Sequence, residues 1–151
     1  CIWTPDKDLA QCVRGDRVVQ IDRKGQKIRN AAGVREKFGV EPVLIPDYLA
    51  LVGDSADGFP GIRGIGAVTA ARLLNQHGVI EDFPEDILGE ARALALLFKD
   101  LATLRTDAHL VRDARELLWG GPTPSFADCA QQLGDARLVE RCRKACEQPP
   151  A

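Results

Sequence analysis

The sequence predicts an α/β protein whose C-terminal part is mostly helical. Residues 1–4 resemble the end of a strand and run directly into acidic residues and a helix start. Residues 17–22 and 26–29 form two short strand-like segments around a turn at Gly25. Between residues 89 and 104 the apolar side chains recur at helical spacing instead. We therefore expect a small, partly parallel sheet followed by packed helices.

Length and composition indicate a globular domain. The chain has 151 residues, of which 45% are hydrophobic and 28% charged. Apolar runs stay below the ~18 residues that a transmembrane helix needs, and the start does not resemble a signal peptide, so we expect no membrane association. The sequence starts at Cys1 and contains no methionine. We therefore expect it to be part of a longer polypeptide.

The cysteines argue against a zinc site or a disulfide framework. There are five of them, none in a CxxC pair, and the chain has only two histidines to complete a metal site. Cys142 and Cys146 lie one helical turn apart, a spacing more typical of two small apolar side chains on one helix face. Reduced thiols and a cytoplasmic location fit this pattern best.

The net charge of −2 does not decide whether the protein binds nucleic acid. A DNA-binding protein is usually basic, so the overall value counts against that function. Charge can be local, however, and one early segment is rich in basic residues: Arg23, Lys24, Lys27, Arg29, Arg35 and Lys37.

Two acidic residues follow the predicted N-terminal strand. In one interpretation Thr4 caps a helix that begins at Pro5, and Asp6 and Asp8 lie in its first turn, where negative charge is favourable. In the other, the acids bind a ligand, because ligands of open α/β sheets bind beyond the carboxyl ends of strands. The residues alone leave both interpretations open.

A glycine-rich segment stands at the centre of the chain. A helix starting near Pro46 leads to Asp54 and Asp57, several glycines follow, and a second helix covers residues 69–74. Glycine-rich loops that end at a helix N-terminus suit phosphate binding. Carboxylates just upstream would repel phosphate unless a cation stood between, which indicates metal-assisted chemistry on nucleic acid. A plain turn joining two helices is the alternative.

The remaining helices are predicted from caps and spacing. Asn30 caps a helix over residues 31–38 that Gly39 ends, and Gly78 ends the helix after the glycine segment. Three modest helices follow between residues 114 and 145. A buried apolar stripe is predicted at Ala91, Leu94, Ala95, Leu97, Phe98, Leu101 and Leu104.

Two motifs in order resemble one family. Residues 4–11 read TPDKDLAQ and residues 53–70 read GDSADGFPGIRGIGAVTA. Both are similar to signatures of the bacterial 5′→3′ exonucleases, the flap endonuclease-like domain that is fused to DNA polymerase I or occurs as a free enzyme. The resemblance implies a truncated PIN-like sheet and a helix–three-turn–helix DNA-binding subdomain.

The resemblance also implies site residues and cofactors. Two Mg²⁺ ions (or Mn²⁺) would be held by Asp6, Asp8, Asp54 and Asp57, which act in catalysis through the metal. DNA would contact Gly61, Arg63, Gly64, Ile65, Gly66, Thr69 and Arg72, and hairpin carbonyls would hold K⁺. The family commonly has lysine where this chain has Val68, which affects DNA affinity more than catalysis.

The implied activity is Mg²⁺-dependent 5′→3′ exonuclease and 5′-flap endonuclease cleavage of DNA. Residues 1–52 would complete the nuclease core and residues 53–151 would form the DNA-binding subdomain and C-terminal helices. The partners would be 5′-flap or 5′-ended duplex DNA and a fused or separate DNA polymerase. This fragment would be inactive without the missing N-terminal half. A non-catalytic, structure-specific duplex-binding module is the alternative function.

Overall fold

A computed structural model describes residues 1–22, 27–108 and 110–147. The chain divides into two compact units, Cys1–Thr106 and Asp107–Ala151. None of the helices in the described ranges has the length and apolar character of a membrane span. All five cysteines are free thiols.

The sheet is small and lies near the N-terminus. Strands β1 (Gln20–Asp22) and β2 (Lys27–Arg29) pair antiparallel. Ile2 adds a parallel bridge on the other side of β1, where its N–H donates to the Val19 carbonyl at 2.8 Å and its carbonyl accepts from the Ile21 N–H at 2.7 Å. The predicted hairpin and its parallel neighbour are therefore confirmed in short form. The turn predicted at Gly25, and Gln26 after it, lie outside the described residues.

The helix predicted to start at Pro5 is wrong. A 3₁₀ helix begins only at Asp8 and runs to Cys12. The Thr4 hydroxyl accepts the Asp6 N–H at 3.2 Å, and the Asp6 carboxylate accepts the Asp8 N–H at 3.2 Å. These side chains satisfy N–H groups two residues ahead, so the chain turns before any helix forms.

Two helices form the centre of the first unit. Helix α1 (Ala31–Phe38) is capped by the Asn30 side chain, which accepts the Gly33 N–H at 2.9 Å. After a 3₁₀ turn at Pro42–Leu44, helix α2 (Ile45–Val52) is buried along nearly its whole length. A short helix that is apolar on all sides must be surrounded by other elements, and α2 packs against α3 (Ala67–His77) and α5 (Arg92–Ala102).

Helix α5 buries a narrower face than the sequence predicts. Short segments at Ile80–Asp82, α4 (Glu85–Leu88) and Gly89–Ala91 lead into it. Ala95, Phe98 and Ala102 face the core. Leu104, predicted to be buried, follows the end of α5 and is 37% exposed. Three further leucines predicted to be buried are 44–63% exposed: Leu94, Leu97 and Leu101. They lie one position earlier in the helical repeat, which turns them about 100° away from the α2 contact.

The second unit contains a 3₁₀ helix, Ala114–Leu117, and two α-helices. Helices α6 (Phe126–Gln132) and α7 (Ala136–Glu147) pack on each other, with Ala130 buried. Three helical segments were predicted in this part of the chain, and its described residues contain three.

Candidate metal centre and nucleic-acid interface

The loop after α2 closes on itself and fixes Asp54. The Asp54 N–H donates to the Phe59 carbonyl at 2.8 Å, and the Phe59 N–H donates back to the Asp54 carbonyl at 3.0 Å. Phe59 is buried and stacks on Phe98 of α5, with 5.4 Å between ring centroids. The loop that carries Asp54 and Asp57 is therefore fastened to the core at its far end.

Gly53 and Gly61 allow this closure because their backbones touch. A Cβ on Gly53 would lie 2.5 Å from the Pro60 carbonyl oxygen, and one on Gly61 would lie 2.4 Å from the Gly53 nitrogen. Both residues also have positive φ angles, 92° and 73°. Gly61 was predicted as a DNA-binding residue; in the structure it is buried and seals the base of the loop.

Asp8 reaches the same place from the other end of the chain. Its 3₁₀ helix is tied to α5 by Gln11, whose Nε2 donates to the Asp8 carbonyl at 2.9 Å and to the Ala102 carbonyl at 3.0 Å. Oε1 of Gln11 accepts the Leu104 N–H at 3.0 Å. One glutamine thus links the acidic segment to the end of α5, a role that sequence analysis missed.

A buried polar chain holds the segment next to Asp8. Gln20 of β1 is fully buried and its Nε2 donates to the Asp6 backbone carbonyl. Arg29 of β2 donates to the Gln20 Oε1 at 2.7 Å and is only 7% exposed. Arg29 is therefore a structural residue of the hairpin, although it was grouped with the basic residues of the early segment.

Three of the four predicted acids come together. Asp8, Asp54 and Asp57 each offer a carboxylate oxygen, and these oxygens lie within 4.8 Å of one another. Asp6 is not part of this group; it is exposed, and its carboxylate accepts the Asp8 N–H. We refer to Asp8, Asp54 and Asp57 as the acid cluster.

Oδ1 of Asp8 is buried and lacks a hydrogen-bond donor among the described residues. Oδ2 of Asp54 is also buried, and the Lys7 ammonium is its ion-pair partner. The other Asp54 oxygen, Oδ1, accepts the Ala56 N–H at 2.9 Å. Buried polar atoms are normally satisfied, and here three carboxylates share one ammonium, so the acid cluster can accept further positive charge. Oxygens of this kind are the ligands that Mg²⁺ and Mn²⁺ prefer, so the residues fit a divalent cation.

The negative charges of the acid cluster repel one another. Burial, a hydrogen bond with Asp57 and the neighbouring charges raise the pKa of Asp8 to about 7. Burial also opposes the charge of Asp54, but the Lys7 ammonium and the Ala56 N–H outweigh it and hold the pKa of Asp54 below 3.8. Like charges ~5 Å apart repel by roughly 3 kcal/mol at an effective dielectric of 20. A cation in the cluster would relieve this repulsion.

The segment after the loop presents a different surface. Ile62 is buried and Ile65 packs against the core, so these two side chains anchor the turn between them. Gly64 has a φ of 85° and open space around it. Gly66 precedes α3 without a side-chain cap, and Thr69 is half-buried in its first turn.

Exposed side chains line this segment. Arg63 and Arg72 project to solvent, and neither forms an ion pair with any residue in the described ranges. Val68 is 85% exposed. We call Arg63, Gly64, Gly66, Val68 and Arg72 the hairpin surface. The residues predicted to contact DNA are therefore all in or next to it, with Gly61 buried beneath.

The two sequence motifs predict a 5′→3′ exonuclease. The structure agrees with this class, because it has a small sheet, a helical remainder and an acid cluster next to the glycine-rich segment. A family model described as "5'-3' exonuclease, C-terminal SAM fold" matches residues 40–125. The chain belongs to this family, and the family resemblance is confirmed.

Individual relatives agree with the family. The chain is 47% identical over 81 residues to a 5'-3' exonuclease of Aquifex aeolicus, covering 54% of this chain and 28% of the relative. It is 37% identical over 123 residues to DNA polymerase I of Bacillus subtilis, covering 72% and 14%. It is 34% identical over 126 residues to a 5'-3' exonuclease of Buchnera aphidicola, covering 72% of this chain and 41% of the relative. The chain thus spans less than half the length of each.

A solved structure supports the fold. The structure titled "Divalent metal ions (zinc) bound to T5 5'-exonuclease" aligns with a TM-score of 0.59 at 18% identity, covering 66% of this chain and 41% of that one. The predicted fold class, α/β with a truncated PIN-like sheet and a mostly helical remainder, is confirmed.

Proposed function

We propose that this chain is the C-terminal part of a Mg²⁺-dependent 5′→3′ exonuclease and 5′-flap endonuclease that hydrolyses DNA phosphodiesters. The observation that carries the proposal is the acid cluster, in which three carboxylates converge and the buried Oδ1 of Asp8 lacks a donor among the described residues. The chain covers 14–41% of the three relatives described above. We therefore expect cleavage from a polypeptide of the relatives' length rather than from these residues alone.

The carboxylates of Asp8, Asp54 and Asp57 would hold the divalent ions, and Asp6 would add negative charge beside them. Ions held there supply charge that activates an attacking water and stabilises the leaving oxygen. Asp54 is the rigid member, because its loop is sealed at Gly53 and Gly61. Asp57 is exposed and faces solvent, where a phosphodiester can approach. The residues thus divide into a buried anchor and an accessible ligand.

The hairpin surface would bind the DNA backbone. Free N–H groups at the uncapped start of α3 favour a phosphate, and Gly64, Gly66 and Ile65 shape the turn that presents them. Arg63 and Arg72 would add charge, and Thr69 a hydroxyl. Carbonyls of the hairpin would hold K⁺, as the resemblance implies. These contacts go to phosphates and read no sequence.

The proposed partners follow from the relatives. The substrate would be duplex DNA with a 5′ flap or 5′ end, and a DNA polymerase would be fused to the nuclease or act beside it, as the relatives named DNA polymerase I suggest. Five free thiols and a DNA substrate fit a cytoplasmic location.

The test is cleavage of a labelled 5′-flap duplex by the intact parent protein, with Mg²⁺ and with EDTA. Asp57→Asn should abolish Mg²⁺-dependent cleavage while leaving duplex binding intact. Asp86→Asn, an exposed carboxylate of α4, is the matched control and should cleave normally. Normal cleavage by Asp57→Asn would refute the metal role. Binding without cleavage by the wild-type parent would instead favour a non-catalytic DNA-binding module.

A further inference from the structure

Lys7 lies beside the acid cluster and stands between Asp6 and Asp8 in the sequence. Its ammonium forms an ion pair with the buried Oδ2 of Asp54. Oδ1 of Asp54 is already bound to the Ala56 N–H. The lysine therefore stands at the one Asp54 oxygen that is free to bind a metal ion.

The two partners differ in how firmly they are held. Asp54 is 2% exposed at its side chain and sits in a loop closed by backbone hydrogen bonds. The Lys7 side chain is 32% exposed and ends a flexible four-carbon stem. Lys7 is thus the partner that can move, and water is available to hydrate it when it does.

A second lysine of the fold lacks this freedom. The Lys99 side chain is 19% exposed and contacts two carboxylates, Asp47 at 2.8 Å and Glu81 at 2.5 Å. Moving it would leave two acids unpaired. Moving Lys7 would leave only one acid, Asp54, without its ion-pair partner.

We propose that Lys7 is a built-in counter-ion, which neutralises Asp54 in the metal-free protein and is displaced when a divalent cation binds the acid cluster. The inference rests on the proposed function, since it concerns the same site. Without Lys7 the metal-free cluster would hold three carboxylates and no paired cation. With Lys7, a cation must first remove a like charge, so the lysine lowers the affinity for divalent ions while it stabilises the empty site.

The first experiment compares the wild-type chain with Lys7→Met and Lys7→Arg. Binding of Mn²⁺ is measured by titration calorimetry, and the melting temperature is measured in EDTA. Lys7→Met should bind Mn²⁺ roughly tenfold more tightly, because one like charge has gone, and should melt several degrees lower in EDTA. Lys7→Arg keeps the charge and should resemble the wild type.

The results separate this inference from the proposed function. Equal or weaker Mn²⁺ binding by Lys7→Met would overturn the counter-ion role and leave the metal site standing. If neither the wild type nor Lys7→Met binds Mn²⁺, the metal site itself fails, and the counter-ion role fails with it.

The second experiment needs no variant. Lysine acetylation of the wild-type chain is followed by mass spectrometry with and without Mn²⁺. Labelling of Lys7 should rise when Mn²⁺ is added, because the ammonium leaves Asp54, whereas Lys99 should stay protected in both conditions. Unchanged or reduced labelling of Lys7 would overturn the proposal.

Discussion

Helix α2 has a buried aspartate at each end, and the two have different surroundings. Asp47 lies in the first turn and is 1% exposed; Asp54 follows the last turn and is 3% exposed. Each forms an ion pair with one lysine. At Asp47, Oδ1 accepts the Ile80 N–H and lies beside the Lys99 ammonium, each at 2.8 Å. The helix dipole also favours a negative charge at this end.

Asp54 has the same two kinds of donor, the Ala56 N–H on Oδ1 and the Lys7 ammonium on Oδ2. Two more carboxylates, Asp8 and Asp57, lie nearby. The negative end of the α2 dipole precedes Asp54. Lys99 thus contacts two carboxylates, whereas a single lysine pairs with the cluster of three at Asp54. The larger excess of carboxylates over cations, rather than burial alone, makes Asp54 the candidate site residue.

The largest expected effect on stability is at the Asp47 end. Lys99→Met leaves the buried Asp47 without its cation, and we expect a loss of about 3–5 kcal/mol in the free energy of unfolding. Lys7→Met should cost only roughly 1 kcal/mol, because Lys7 is a third exposed and water can replace part of its interaction. Urea unfolding in EDTA measures both. Equal losses in the two variants would break the comparison.

The contribution of Lys99 to stability should also depend on pH. Burial opposes the charge of Lys99, but its hydrogen bonds to Asp47 and Glu81 outweigh burial and raise its pKa above 10.5. The stabilisation from this raised pKa is fully present below pH 10.5 and is lost as pH rises through the folded value. The stability gap between wild type and Lys99→Met should therefore narrow above pH 10.5. Urea unfolding at pH 8 and pH 11 tests this, and a gap that stays constant would contradict it.

The smallest expected effect on stability is at the hairpin surface. Arg72 is exposed and has no ion-pair partner in the described ranges, so Arg72→Ala should change the free energy of unfolding by less than about 0.5 kcal/mol. Duplex binding should weaken uniformly across sequences, and the slope of log affinity against log salt should fall by about 1. Val68→Lys should do the opposite. Sequence-selective loss in Arg72→Ala would argue against a phosphate contact.

Local signals in the sequence predicted most of the helices and strands and the loop that carries Asp54. They did not predict the lysine partners of the two aspartates. Asn30 and Gly39 could be predicted as the ends of α1, because helix caps interact with backbone groups close by in the sequence. The glycines around Asp54 predicted a loop, because their backbone conformations depend on the residue itself. The prediction that Thr4 caps a helix was wrong, since its hydroxyl accepts the Asp6 N–H within a turn. Contacts such as Lys7 with Asp54 join distant segments, and no local pattern encodes them.

The same limit explains the other surprises. Gln11 binds the end of α5 across 91 residues, and Gln20 binds the Asp6 carbonyl from a strand. The exposed leucines of α5 show that helical spacing fixes which residues share a face, whereas the surrounding elements decide which face is buried. The acids themselves were predictable from the two motifs. That Asp6 stands outside the acid cluster was not.

The most direct test of the account is divalent-ion binding by aspartate variants at the two ends of α2. Mn²⁺ binding is followed by electron paramagnetic resonance in the wild type, Asp54→Asn and Asp47→Asn, with folding of each checked by circular dichroism. We expect Asp54→Asn to stay folded and to lose most of its Mn²⁺ affinity, and Asp47→Asn to bind Mn²⁺ like the wild type at the cost of stability. Equal Mn²⁺ affinity in wild type and Asp54→Asn would contradict the assignment of the acid cluster as a metal site.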